Sequence, residues 1–102
     1  MTKRILHLTL KKEWFNKIAS GEKKEEYREV KSYWVKRLFH WCPTHHNVEK
    51  QFDEIHFRNG YNRNSPFMRV KWKGIEPKII LGKKYFAIQL GKILEIRNWK
   101  WK

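Results

Sequence analysis

The feature that most constrains the fold is a strict alternation of apolar and charged side chains over residues 68–73, within the segment 67–74. In an extended chain, successive side chains point to opposite faces, so this pattern separates the apolar residues from the cations. The two sets are Met68, Val70 and Trp72 on one face, and Arg69, Lys71 and Lys73 on the other. The segment is therefore predicted to be a strand with one buried face, ending at Glu76 and Pro77.

Similar patterns extend this prediction to most of the chain. Further strands are predicted at residues 5–10, 24–30, 53–59, 85–90 and 93–96, with a bulge or bend at Gly91. Residues 11–20 and 31–41 have helical spacing; Trp14, Phe15 and Ile18 form the apolar face of the first helix, and Ser32 is a possible N-cap of the second. Residues 42–50 and 60–66 are predicted to be loops.

Two helices near the N-terminus followed by several short strands indicate an α+β fold. We expect the sheet to curl into a small mixed β-barrel. With 102 residues, the chain is long enough for one domain with a hydrophobic core, spanning residues 1–102.

Residues 21–28 form a dense cluster of charged side chains, and this cluster lies where the first predicted helix is followed by a strand. Gly21 stands where a helix often ends in a left-handed residue. In the strand that follows, Lys24, Glu26 and Arg28 share one face, whereas Lys23 can reach that face only from the preceding turn. Neither face of this strand is apolar, so the cluster suggests a polar site. The alternative is an exposed pair of Glu26 and Arg28 that contributes little to stability.

The charge of the chain favours an anionic partner. The net charge is +14, and residues 55–102 carry 12 Lys and Arg against 2 Asp and Glu. Nucleic acid is the first expectation for such a chain, and an anionic membrane surface is the second. The N-terminus does not resemble a signal peptide, and no apolar run approaches the length of a membrane span. A single cysteine fits a reducing compartment, so a cytoplasmic location is expected.

The sequence resembles the ASCH domain family through the spacing Gly21-x-Lys23-x-x-Glu26-x-Arg28 after a short helix. The strand–helix segment before the motif and the strands after it agree with this resemblance. It implies a PUA-like barrel with a cleft lined by Lys23, Glu26 and Arg28, which takes RNA or a nucleotide-like ligand. It implies no cofactor.

Some members of related families remove an acyl group from acylated cytidine. In those proteins a lysine at the position of Lys23 acts with a threonine at the position of Glu26 and a distant glutamate. This chain has Glu26 in place of the threonine. The resemblance therefore leaves two functions open, a binding module and a small hydrolase acting on a modified nucleoside or RNA. In the hydrolase, Lys23 would be the base or nucleophile and Glu26 the proton shuttle.

The residue types of the cluster support binding without the family. A guanidinium such as that of Arg28 offers a planar set of donors to a phosphate or base edge, and Glu26 can accept from an exocyclic amine. The predicted strand with Arg69, Lys71 and Lys73 places cations about 7 Å apart, a spacing that suits a nucleic-acid backbone but also an ordinary solvent-facing edge strand. Near the C-terminus, Trp99 and Trp101 alternate with Lys100 and Lys102, and they either stack on bases or add a last strand.

A second cluster is formed by Cys42, His45 and His46, with His40 just before. A Cys-x-x-His pair can be half of a zinc site, but a structural site needs four ligands and the chain has one cysteine. We therefore expect a polar loop with a reduced thiol and no metal.

Overall fold

The structure is a computed structural model that describes residues 2–100. It is an α+β fold with nine elements, which confirms the predicted fold class and the two helices near the N-terminus. The helices are α1 (Lys12–Ala19) and α2 (Ser32–Leu38). The strands are β1 (Ile5–Thr9), β2 (Glu25–Glu29), β3 (Phe39–Cys42), β4 (His46–Glu49), β5 (Glu54–Arg58), β6 (Phe67–Ile80) and β7 (Lys83–Arg97).

Five strands form one mixed sheet in the order β1-β5-β6-β7-β2. The β1–β5 pair is parallel and the other three pairs are antiparallel. Within residues 2–100 the edge strands β1 and β2 do not pair with each other, so the sheet is open and is not closed as a barrel. The Arg28 side chain of β2 nevertheless reaches β1, where its Nη2 lies 3.4 Å from the carbonyl oxygen of Thr9.

The core lies on the face of the sheet that the alternation predicts. Met68, Val70 and Trp72 are all buried, and they pack with side chains from β1, β5, β7 and both helices. The other members of this cluster are Leu6, Leu8, Leu10, Phe15, Ile18, Leu38, Ile55, Phe57, Ile88 and Leu90. This burial of large apolar side chains is the main source of stability for the sheet.

The first helix differs from its prediction at Trp14. Phe15 and Ile18 are buried, but 38% of Trp14 is exposed. A helix of eight residues presents only a narrow stripe to the sheet, and Trp14 lies at the side of that stripe. The helix ends as predicted, because Gly21 has φ of +84° and its N–H donates to the carbonyl of Ile18.

The prediction for residues 31–50 was wrong in three respects. The second helix ends at Leu38, because Phe39–Cys42 pairs with His46–Glu49 in a separate two-stranded sheet. The segment predicted as a loop therefore contains a strand. The N-cap is Lys31, and Ser32 is already inside the helix. A turn of three residues joins the two strands, and His46 after it has φ of +60°, as in common hairpins of this length.

The strand predicted to end at Glu76 and Pro77 instead continues to Ile80. Pro77 lacks an N–H group, which is tolerated where one side of a strand is unpaired. Beyond Lys71, β6 pairs with β7 but no longer with β5. The predicted segments at 85–90 and 93–96 belong to one strand, β7, and the expected irregularity at Gly91 is confirmed by a shift of register between Val70 and Trp72 of β6.

Among residues 2–100, neither helix has the length and apolar content needed to cross a membrane.

Candidate ligand-binding site

The charge cluster borders a cavity with a volume of about 1110 Å³. We call it the charged cavity. Its cations are Lys17, Lys23, Lys24, Arg28 and Lys73, and its carboxylates are Glu22, Glu25, Glu26 and Glu76. Trp14, Tyr27, Gln89 and Leu90 complete the wall. Because β2 is an edge strand, side chains from both of its faces reach the cavity.

Glu26 is the centre of the predicted cluster and is only 3% exposed. Its Oε1 accepts a bond of 2.8 Å from Lys23 Nζ, and its Oε2 accepts a bond from Arg28 Nη1. The three side chains that the spacing predicted to share a cleft are therefore in direct contact. Glu26 and Arg28 point the same way along β2, and Lys23 reaches them from the turn before the strand. A carboxylate this buried is stable only because two cations compensate its charge.

Arg28 is held in place by several groups while part of its guanidinium stays available. Nη1 also donates to the carbonyl of Tyr27 at 3.0 Å, and Nη2 approaches the carbonyl of Thr9. The guanidinium carbon lies 5.1 Å from the centre of the Trp34 ring. These three bonds involve three of the five N–H groups of the guanidinium, and 17% of the side chain is exposed for contact with a ligand.

Lys23 is positioned by two aromatic rings as well as by Glu26. Its Nζ lies 4.6 Å from the centre of the Trp14 ring and 5.4 Å from that of Tyr27, both within the range of cation–π attraction. From the sequence, Trp14 is placed on the apolar face of the first helix and Tyr27 has no part in the site, so both rings were missed. The signal available for Trp14 was its place about two helical turns before Gly21, on the helix that leads into the charged segment.

A second carboxylate, Glu25, organises the opposite face of β2. It accepts bonds from Tyr27 Oη at 2.6 Å, Lys78 Nζ at 2.7 Å and Gln89 Nε2 at 2.7 Å. These bonds, led by that of Lys78, lower the pKa of Glu25 to about 2. Tyr27 and Lys78 donate to the carboxylate of Glu25, and these bonds raise the pKa of Tyr27 and the pKa of Lys78. Glu25 is therefore an anion over the whole physiological pH range.

The three cations predicted to contact a nucleic-acid backbone, Arg69, Lys71 and Lys73, have different surroundings in the structure. The guanidinium of Arg69 binds Glu54 at 2.9 Å and Glu95 at 2.9 Å, whereas Lys71 and Lys73 are exposed. Lys3 and His56 also contact Glu54. The bonds from Arg69, Lys3 and His56 together hold the pKa of Glu54 well below its usual range. Of the three cations, only Lys73 borders the charged cavity. Binding of a nucleic-acid backbone by Arg69, Lys71 and Lys73 stays a prediction.

The other predicted groups lie apart from this site. Cys42 Sγ is 3.2 Å from Thr44 Oγ1 and 4.0 Å from His45 Nδ1, at the turn between β3 and β4. Hydrogen bonds from Thr44 and His45 lower the pKa of Cys42 to about 6. Within the described part of the chain, no three His, Cys, Asp or Glu side chains are grouped to hold a metal ion. Trp99 Nε1 donates to Asn16 of α1, while Trp101 and Lys102 lie outside the described residues.

Comparisons of the chain with protein-family models, with curated proteins and with solved structures gave no match.

Proposed function

We propose that the protein binds RNA, or a single nucleotide within an RNA, in the charged cavity. The observation that carries the proposal is the contact of Lys23 and Arg28 with the buried carboxylate of Glu26 in the wall of this cavity. Glu26 is too buried to offer much surface to a ligand. Its role in the proposal is to hold the two cations, which are 17% exposed and contact the ligand.

The composition of the wall favours a nucleobase over a bare anion. Cations and carboxylates are nearly balanced, so the cavity as a whole is not a simple trap for negative charge. It offers both donors and acceptors, together with the partly exposed ring of Trp14. Hydrogen bonds to a base edge and stacking on an aromatic ring are the two interactions by which single-stranded bases are bound.

The charge of the whole chain favours a polymer over a free nucleoside. A net charge of +14 attracts a nucleic acid over distances longer than the cavity and raises the rate of association. Lys71 and Lys73 are the exposed cations of β6 and would contact phosphates that flank the bound nucleotide. We propose a cytoplasmic location, because a single cysteine fits a reducing compartment, and we propose no membrane partner.

We also propose that the chain is a member of the ASCH family and that its open sheet is a variant of the PUA-like barrel. The support is the set Gly21, Lys23, Glu26 and Arg28, in which Lys23 and Arg28 both donate to the carboxylate of Glu26. The reach of Arg28 from β2 to Thr9 on β1 brings the two sheet edges near each other, as closure of a barrel would require.

The test is binding of a short single-stranded RNA of mixed sequence to the wild type and to Arg28→Ala. We expect the wild-type affinity to fall steeply with salt concentration, because cations that neutralise phosphates release counterions. Arg28→Ala should lose at least about tenfold in affinity, since charge-assisted bonds are the strong ones. Arg4→Ala is the matched control, since Arg4 is exposed and lines no cavity described here. Equal affinity of the two variants would refute the proposal, provided circular dichroism shows both to be folded.

A hydrolase acting on a modified nucleoside or on RNA is the second candidate, favoured by one observation. Lys23 Nζ lies 2.8 Å from Glu26, and Glu76 of β6 borders the same cavity as a further carboxylate. An amine beside a carboxylate can act as a base or nucleophile with a partner for its proton. Incubation with N4-acetylcytidine and with RNA should then yield a product that Lys23→Ala does not form. If the wild type forms none, this candidate is excluded for those substrates.

A further inference from the structure

A second cavity adjoins the charged cavity and has a different electrostatic character. Its volume is about 390 Å³, and we call it the lysine cavity. Its lining contains no carboxylate but includes four lysines, which are Lys23, Lys24, Lys73 and Lys92. Three of these lysines, Lys23, Lys24 and Lys73, also border the charged cavity, so the two cavities share part of their walls.

The four cations converge because of three separate features of the backbone. Lys23 and Lys24 belong to the turn after Gly21, whose left-handed conformation redirects the chain at the end of α1. Lys73 comes from β6. Lys92 comes from β7. On β6 one residue separates Val70 from Trp72, but on β7 two residues separate their partners Ile93 and Leu90, so β7 contains one extra residue there. A bulge of this kind redirects a side chain, and here it places Lys92 at the cavity that Lys73 borders.

Gly91 makes this close arrangement possible. A Cβ atom at Gly91 would lie 3.0 Å from the carbonyl oxygen of Lys71 and 3.1 Å from Lys73 Cγ. Both contacts are tighter than ordinary van der Waals contact, so a larger residue would require the Lys71 carbonyl and the Lys73 side chain to shift by a few tenths of an ångström.

Most of this positive charge is not compensated within the protein. Lys23 is paired with Glu26, but Lys24, Lys73 and Lys92 are exposed and form no ion pair with any of the described residues. The floor is apolar, with Ile18, Val70, Leu90 and Ile93, so it adds no competing acceptor. The carbonyls of Asn16, Ile18 and Lys17 at the end of α1 accept bonds from the N–H groups of Ser20, Gly21 and Lys23, so these carbonyls are already paired within the protein.

We infer that the lysine cavity is a phosphate subsite, which receives the phosphate of the nucleotide whose base occupies the charged cavity. This inference rests on the proposed function and specifies its ligand as a nucleoside phosphate or a phosphodiester. Ammonium groups are point charges that suit a phosphate approached from several directions. The charged cavity has side chains of both charges and an aromatic ring, which suit a base, whereas all charged side chains of the lysine cavity are cations, which suit a phosphate. The two neighbouring cavities therefore match the two parts of a nucleotide.

The experiment measures the gain in affinity that a phosphate gives. The probes are the four ribonucleosides, their 5′- and 3′-monophosphates and inorganic phosphate, studied by calorimetry at low salt. We expect at least one monophosphate to bind the wild type about tenfold more tightly than its nucleoside. Lys92→Ala should reduce this ratio about fivefold and leave nucleoside affinity unchanged, because Lys92 borders only the lysine cavity. Lys92→Glu should abolish the preference.

Lys84→Ala is the matched control, because it removes the same charge from an exposed site on β7 that borders neither cavity. The inference is overturned if Lys92→Ala and Lys84→Ala give the same ratio, or if no monophosphate binds more tightly than its nucleoside. It is also overturned if inorganic phosphate binds as tightly as the monophosphates, which would indicate a site for free anions.

These outcomes separate the subsite from the proposed function. If nucleosides bind and Arg28→Ala weakens them, but Lys92→Ala has no specific effect, the charged cavity still binds nucleosides and only the subsite is refuted. If neither nucleosides, monophosphates nor the single-stranded RNA bind, both are refuted.

Discussion

Glu25 and Glu26 are neighbours in β2, yet their carboxylates bind two separate sets of donors. Glu26 binds Lys23 and Arg28, whereas Glu25 binds Tyr27, Lys78 and Gln89. Alternation along the strand sends the two side chains to opposite faces, and each face supplies its own cations. An edge strand without an apolar face is thus held in the sheet by its pairing with β7 and by two groups of ion pairs and hydrogen bonds.

Replacement of Glu26 should be costly. In Glu26→Ala, Lys23 and Arg28 lose the carboxylate that compensates them, and we expect the free energy of unfolding to fall by about 3 kcal/mol. This is the lower end of the cost of breaking a buried ion pair, because both cations keep some contact with solvent. Urea unfolding followed by circular dichroism measures the change. Glu29→Ala is the control on the same strand, where the exposed pairs with Lys31 and Lys83 should contribute less than about 1 kcal/mol. Equal losses in the two variants would contradict the central role of Glu26.

The ring of Trp14 should contribute to RNA binding. Trp14→Leu keeps an apolar side chain on α1 but removes the aromatic face at the cavity, so affinity for single-stranded RNA should fall by about 1–3 kcal/mol, the usual contribution of one stacked base. Fluorescence anisotropy with a labelled RNA measures this loss. Trp41→Leu is the matched control, since Trp41 is exposed on β3 and borders neither the charged cavity nor the lysine cavity. A loss in both variants alike would point to nonspecific aromatic contacts.

The ionisation of Glu25 should make stability depend on pH in the acid range. The pKa of Glu25 is lowered to about 2 in the folded protein, from an ordinary value of 4.5. The native state therefore binds fewer protons than the unfolded state between these values. The stabilisation is fully present above about pH 5 and is lost as the pH falls towards 2.

Glu25→Gln tests this dependence. It should be less stable than the wild type at pH 7, and the difference should shrink as the pH is lowered from 5 to 2. Urea unfolding at pH 7, 5, 4, 3 and 2 measures the difference. Glu22→Gln serves as the control, because Glu22 is exposed and forms no ion pair with residues 2–100. A difference between wild type and Glu25→Gln that stays constant from pH 5 to 2 would be inconsistent with the low pKa of Glu25.

The turn between β6 and β7 should be open to stabilisation. Leu81 and Gly82 form a two-residue turn with φ of +50° and +80°, and Leu81 is fully exposed. A left-handed conformation is unfavourable for leucine but common for asparagine, and Asn-Gly is the preferred pair in such turns. Leu81→Asn should raise the free energy of unfolding by about 1 kcal/mol, measured by thermal and urea unfolding. Leu81→Ala keeps the unfavourable conformation and should change it by less than about 0.5 kcal/mol. No gain for Leu81→Asn would show that the turn is not strained.

The thiol of Cys42 should react at a lower pH than an ordinary cysteine. Bonds from Thr44 and His45 lower its pKa to about 6, so half of the thiol should be ionised near that pH. The rate of alkylation by iodoacetamide, measured from pH 5 to 9, should show a midpoint near 6. Thr44→Ala removes the largest contribution and should move the midpoint upward. An unchanged midpoint in Thr44→Ala would exclude Thr44 as the cause.

Patterns with a short range in the chain were predicted well. The parity of a strand places Met68, Val70 and Trp72 in the core, and it places Glu26 and Arg28 on a common face. The left-handed conformation of Gly21 follows from its place after a helical pattern. The sequence could specify these features because alternation and helix termination depend on neighbouring residues only.

Features that depend on which strands pair were not predictable in the same way. Pro77 is accommodated because β6 has lost its pairing with β5 at that point, and β4 exists because β3 offers it a partner. Arg69 has the same local pattern as Lys71 and Lys73, and Lys71 is even the cross-strand partner of Glu54, but among these three only Arg69 forms ion pairs with Glu54 and Glu95 within residues 2–100.

By itself, the sequence determined the fold class, the buried face of each main strand and the charged motif around Glu26. Only the tertiary structure decided that Trp14 borders a cavity and that Lys92 joins Lys73 beside it. Both depend on how α1 packs against the sheet and on the register between β6 and β7, which distant parts of the chain set together. Local periodicity fixes which way a side chain points, but what it meets there is fixed by the packing of the whole sheet.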